Sequence, residues 1–136
     1  MSIKTLSKAL SACLLLTLAV AAQAESNTVF EMRIYTTHEG KLDALNERFT
    51  NHTADFFEQY GMRNVGYWVP TDPEKSGNTL IYILEHESRE AAAKSWEGFV
   101  NDPDWQKVYE KSREDGPIVK NIDSVYMTAT EYSAIR

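Results

Sequence analysis

The chain has 136 residues, 43% of them hydrophobic, with 14 Lys and Arg against 20 Asp and Glu and a single cysteine. That length bounds it to one domain. A formal charge of −6 without any basic run argues against nucleic acid and anionic lipid surfaces as partners, because phosphate contacts need clustered Lys and Arg.

Residues 1–24 read as a secretory signal peptide. Lys4 and Lys8 give a positive start, residues 9–22 form an uncharged, mostly apolar run, and Ala22-Gln23-Ala24 is a small-x-small cleavage site. The run is shorter than the roughly 20 apolar residues of a transmembrane helix. It also lacks the arginines of a mitochondrial transit peptide. Cys13 stands inside the run rather than after it, so it is an ordinary residue of that run and not a lipid-attachment cysteine. Cleavage before Glu25 leaves residues 25–136 as one domain, with 12 basic residues against 20 acidic ones and no cysteine. Export without disulfides suggests a periplasmic or secreted protein with no membrane attachment once the signal is removed.

In the mature chain, residues 28–36 alternate as a strand, with Val29, Glu31, Arg33 and Tyr35 on one face and Phe30, Met32 and Ile34 on the other. Residues 39–60 have helical spacing, with Leu42, Leu45, Phe49, Phe56 and Tyr60 in one stripe and Gly61 as the stop. Residues 62–69 form a second strand on which Tyr67 and Trp68 point to opposite faces, and spacing alone leaves open which of them is inward. A polar turn over residues 70–78 leads to a third strand, residues 79–86. An interrupted helical stretch follows over residues 88–114. Ala92, Trp96, Phe99 and Val100 make its first apolar face. Asp102 is then placed as an N-cap and Pro103 as the first position of a new helix carrying Trp105 and Val108. Gly116-Pro117 closes the unit before a fourth strand, residues 121–132.

The order βαββαβ, with right-handed crossovers, puts both helical segments on one side of a four-stranded sheet. This is an α+β, ferredoxin-like sandwich. Both strand faces are apolar. Phe30, Met32, Ile34, Ile81, Ile83, Val125 and Met127 are assigned to the helix side, leaving Val29, Tyr35, Leu80, Tyr82, Leu84 and Tyr126 for the other. An uncovered sheet face is usually polar, so a second copy packed sheet to sheet is expected to cover it as a homodimer.

Several local motifs recur in order: Phe30-Glu31-Met32-Arg33-Ile34-Tyr35-Thr36, Gly40-Lys41-Leu42-Asp43, Val65-Gly66-Tyr67-Trp68, Asn78 before the third strand, and Asp102-Pro103-Asp104-Trp105. Together they resemble the NIPSNAP family of the dimeric α/β-barrel superfamily, over nearly the whole mature chain. The resemblance implies the dimeric barrel fold, and its superfamily includes cofactor-free mono-oxygenases, haem-degrading enzymes and lactone isomerases. On the third strand the chain departs from the family pattern, with Tyr82 and Leu84 at the places of a histidine and a tryptophan.

Glu31, Arg33 and Tyr35 share a strand face at intervals of about 7 Å. If that face lines a space between two sheets, a carboxylate, a guanidinium and a phenol converge in an apolar cavity suited to an anionic or carbonyl-bearing aromatic molecule. The competing expectation is a cross-strand ion pair at a sheet edge or subunit interface. Tyr67, Tyr82 and His86 complete the candidate ligand-binding set. His86 is in phase with Tyr82, and at the cavity mouth it has the chemistry of a general base; the simpler expectation is an exposed strand end. His38, His52 and His86 have no metal-ligand spacing, and the chain has no Gly-rich phosphate loop, GxSxG elbow or HExxH. No metal or organic cofactor is therefore expected. The functional expectation is a small, partly apolar ligand bound between the sheets of an exported homodimer. The alternative, implied by the resemblance, is a cofactor-independent enzyme of the mono-oxygenase or isomerase type acting on a small aromatic or carbonyl compound.

Overall fold

The computed structural model describes residues 27–136, so the proposed signal peptide and its cleavage site lie outside the described residues. Strand β1 (Val29–Thr37) is followed by a helical segment made of α1 (Leu42–Arg48), a π-helical stretch (Phe49–Thr53) and α2 (Ala54–Gln59). Then come β2 (Arg63–Trp68), β3 (Thr79–His86), α3 (Arg89–Asn101), α4 (Pro103–Lys111) and β4 (Val119–Met127). The strands form one antiparallel sheet in the order β2-β3-β1-β4, the ferredoxin-like arrangement expected from the element order.

The π stretch is the main departure from the expected first helix. It inserts an extra residue into the turn, so the buried stripe runs Leu42, Leu45, Phe49, Thr53 and Phe57 instead of passing through Phe56 and Tyr60. His52 is thereby turned outward. Gly61 ends the segment with φ +76°. The N–H of Gly61 bonds to the Glu58 carbonyl and that of Met62 to the Phe57 carbonyl, the paired closure that a left-handed glycine permits.

At the second helical unit both expected caps form. The Ser88 hydroxyl accepts from Ala91 N–H at 3.0 Å. Asp102 accepts from the N–H groups of Asp104 and Trp105 at 2.7 and 2.9 Å. Trp105 is buried, whereas Val100, assigned to the apolar face, is 50% exposed. β4 spans residues earlier than expected because a register shift at Thr36/Thr37 lets Val119 pair with Thr37.

The helices cover the face of Tyr35, Leu80, Tyr82 and Leu84, and not the face assigned to them from the alternation. Tyr82 stacks on Phe57 (5.8 Å between centroids) and meets Phe49 at 5.2 Å, while Tyr35 meets Phe49 edge-on at 6.0 Å. Alternation separates two residue sets but carries no sign. Here the sign follows the helices' own rings, Phe49, Phe57, Trp96 and Phe99, which interlock with the tyrosine set. Phe30, Met32, Ile34, Ile81, Ile83, Val125 and Met127 therefore lie on the open face. Residues after β4 cover one end of it: Phe30, Val65, Ile83, Met127 and Ile135 line a hollow of about 310 Å³.

Candidate functional site

Glu31 is fully buried on the helix side of β1, and four donors converge on its carboxylate. Oε1 accepts from Arg33 Nη1 at 2.7 Å and from the Ser124 hydroxyl at 2.8 Å. Oε2 accepts from Trp96 Nε1 at 2.7 Å and is 2.9 Å from His86 Nε2. Each donor arrives from a different part of the fold. Arg33 is two residues along the same strand, and Ser124 is on β4 directly opposite Arg33. His86 closes β3, and Trp96 descends from α3. Burial by itself would raise the carboxyl pKa. The bonds from His86, Trp96, Arg33 and Ser124 overcome that and hold it at about 2. Glu31 is thus an ionised anchor with its lone pairs occupied, which suits positioning and not proton abstraction.

Arg33 extends from this anchor into the aromatic layer. Its guanidinium carbon lies 4.3 Å from the Trp96 ring centroid and 5.6 Å from that of Tyr35, within the range of cation–π attraction. Burial lowers its pKa; the nearby tyrosines Tyr35 and Tyr82 and the Glu31 carboxylate more than offset this and keep it charged. Arg33 Nε is buried without a partner, and so are the Tyr82 hydroxyl and His86 Nδ1. Tyr82 lies opposite Arg33 in the β1–β3 pairing, and burial foremost pushes its phenol pKa well up, so it stays a neutral donor. Tyr67 stacks on Tyr82 at 5.4 Å. Beneath the π stretch, Asn46, Phe49, Thr50, Ala54, Tyr67 and Leu80 line an open pocket of about 190 Å³, and the Phe49 and Tyr67 rings of this lining lie 5.2 and 5.4 Å from the Tyr82 ring.

The NIPSNAP family model matches residues 30–134. The chain belongs to the NIPSNAP family. Among solved structures it is similar to a NIPSNAP family protein of unknown function from Agrobacterium tumefaciens, with a TM-score of 0.71 and 17% identity over 83% of this chain and 97% of that one. An uncharacterized NIPSNAP-like domain protein from Burkholderia xenovorans gives 0.69 and 17%, covering 79% and 90%. SnoaB, a cofactor-independent oxygenase from Streptomyces nogalater, gives 0.54 and 15%, covering 81% and 99%. At these identities the structural likenesses establish the fold alone. No curated protein matches the sequence.

In this NIPSNAP chain all six candidates, Glu31, Arg33, Tyr35, Tyr67, Tyr82 and His86, share the helix-covered face, so the expected placement between two sheets is corrected. Tyr67 is the inward member of its pair, and Trp68 is 51% exposed on the open face. The expectation of an exposed His86 also fails: it is 1% exposed because Glu31 draws its ring inward. Glu31 and Arg33 do form an ion pair, but along one strand and inside the molecule, not across strands at an edge.

Trp96 and Ser124 escaped sequence reasoning as polar partners. Trp96 fits a core stripe, and nothing local to it shows that its indole N–H meets a carboxylate 65 residues away. Ser124 becomes visible only when β4 is known to pair with β1. Among the described residues no group of three or more His, Cys, Asp or Glu side chains is placed to hold a metal ion. None of the described helices is long and apolar enough to cross a membrane.

Proposed function

We propose that this NIPSNAP protein binds a small, partly apolar molecule carrying a carboxylate or carbonyl oxygen, on the helix side of its sheet. The observation that carries the reading is a pair of buried donors without partners, Arg33 Nε and the Tyr82 hydroxyl, on directly paired residues of β1 and β3 in an otherwise aromatic layer. Leaving such groups unsatisfied costs about 1–3 kcal/mol each, and a ligand oxygen placed between them recovers that energy. Tyr67, half-buried on the edge strand β2, is the gate. Its rotation joins the cavity beneath the π stretch to Tyr82 and Arg33, and the surrounding rings hold the apolar part of the ligand. Glu31 keeps Arg33 charged and aimed.

The protein works as an exported homodimer in this reading. The apolar open face, with Met32, Ile34, Ile83 and Val125, supports a second copy packed sheet to sheet. Met32→Asp is expected to shift the sedimentation coefficient from dimer to monomer; a monomeric wild type at micromolar concentration would sink the assembly claim.

Native mass spectrometry of protein purified from its own source tests the ligand. A bound carboxylate or carbonyl compound, lost in Arg33→Ala, supports the proposal, whereas empty protein that ignores a panel of aromatic acids and ketones refutes it. One observation favours the enzyme reading as an alternative. Glu31 holds His86 Nε2 and leaves Nδ1 without a partner, the arrangement of a carboxylate-oriented general base. His86→Ala separates the two readings. An enzyme that uses this base loses roughly 10²–10⁴-fold in turnover while retaining its ligand; a binding protein changes little in affinity.

A further inference from the structure

A further concavity lies between the first helical segment and α4. It has a volume of about 490 Å³, and its walls include Arg48, His52, Lys107, Lys111, Glu47 and Asp115. It shares no lining residue with the cavity beneath the π stretch. Three full cations and two carboxylates line it, on a chain of formal charge −6.

Arg48 is the unusual member. It is 5% exposed, yet none of the ion pairs among the described residues includes it. Its Nη1 donates to the Ser112 hydroxyl at 3.1 Å, and its Nε is buried without a partner. The guanidinium carbon stands 5.3 Å from the Tyr109 ring centroid and 5.7 Å from that of Trp105. Arg113, another cation, sits 4.7 Å from the same Tyr109 ring. Burial foremost pulls the Arg48 pKa down. Arg113 adds to this, and the tyrosines Tyr35, Tyr109 and Tyr82 offset it only in part. A buried cation normally sits beside a carboxylate, because desolvation without a counter-charge is expensive.

We propose that this groove is a binding site for a small organic monoanion, with Arg48 as the group that meets its carboxylate. Arg48 lines the groove and is in no ion pair among the described residues, and its planar guanidinium has the fork geometry that a carboxylate takes. Ser112 keeps the fork in place. Lys107 is already engaged by Asp104 at 2.8 Å, which leaves Lys111 as the outer cation. Glu47 and Asp115 on the rim disfavour a dianion, so phosphate fits less well than a carboxylate. Val108 and Ala44 supply an apolar wall for the rest of the molecule.

The test is titration with benzoate, benzamide and inorganic phosphate, followed by amide NMR of the full chain. Benzoate should move the Asn51, His52, Lys111 and Ser112 signals saturably, benzamide should not, and phosphate should bind more weakly than benzoate. Arg48→Met should weaken benzoate binding at this groove by at least roughly tenfold, the loss expected for a charge-assisted fork. Without ligand it should melt no lower than wild type, since it removes an unpaired buried charge. Arg48→Lys, which keeps the charge and loses the fork, covers the case in which Met at this position does not fold; it too should bind weakly. Arg33→Gln should leave these signals responding, so failure of the first site does not mask this one. Unmoved groove signals, equal responses to benzoate and benzamide, tighter binding of phosphate, or wild-type affinity in the Arg48 variants would each overturn the proposal.

Discussion

Glu31→Gln removes the charge from a side chain on which four donors converge and leaves all four donors in place. The glutamine amide can accept at one atom only, and its NH₂ must then face either the Arg33 and Ser124 pair or the His86 and Trp96 pair. A folded pKa of about 2 against an ordinary value of 4.5 corresponds to about 3 kcal/mol of stability at neutral pH. The same size is expected when one partner of a buried charge pair is removed. Because the folded pKa is depressed, this contribution is complete above pH 4.5 and disappears as the pH falls towards 2. At pH 3 the wild type has already lost about 2 kcal/mol of it. Urea unfolding of wild type and variant at pH 7, 5 and 3 measures the difference, and the subtraction removes the contributions of the other carboxylates. The variant should be the weaker protein by a wide margin at pH 7 and 5, and the gap should narrow sharply at pH 3. An undiminished gap at pH 3, or a negligible one at pH 7, would refute the account of Glu31 as an ionised anchor.

Three further outcomes follow from the same geometry. Tyr82→Phe deletes a buried hydroxyl that has no partner, so the empty protein should unfold at an equal or higher urea concentration while affinity for a carboxylate or carbonyl ligand drops; a clear loss of stability would show that the hydroxyl is already satisfied. Phe57→Ala should destabilise by about 3–5 kcal/mol, because Phe57 is 1% exposed and touches Phe49, Tyr82, Trp96 and Phe99. The same change at partly buried Phe56 should cost visibly less, and the reverse order in urea unfolding would show that the π stretch does not shift the stripe. Trp96→Phe removes the indole donor to Glu31 while keeping most of the ring. Because it also shrinks the ring face on which the Arg33 guanidinium rests at 4.3 Å, a contact that His86→Ala leaves intact, it should weaken ligand binding through Arg33, and calorimetric titration showing wild-type affinity would count against that coupling.

Elements and their order were legible in the sequence because they rest on local physics. The alternation from Val29 onward, the Ser88 and Asp102-Pro103 starts and the Gly61 stop each act within a few residues, and all appear in the fold. The shared face of Glu31, Arg33 and Tyr35 was legible too, since strand spacing requires it. The tertiary structure alone decided which face that was. A period of two separates inside from outside without labelling them, and the label came from rings on helices far along the chain. It also decided the π stretch, where one extra residue moved the core position from Phe56 to Phe57. The fate of His86 was settled the same way. Its neighbours in sequence leave it exposed, and only the pairing of β1 with β3 brings the Glu31 carboxylate within 2.9 Å. Arg48 shows the same limit from the other side. Helical spacing gives a position on a turn, but whether a cation there meets a carboxylate or none depends on the helix packed against it, and that contact joins residues 64 apart.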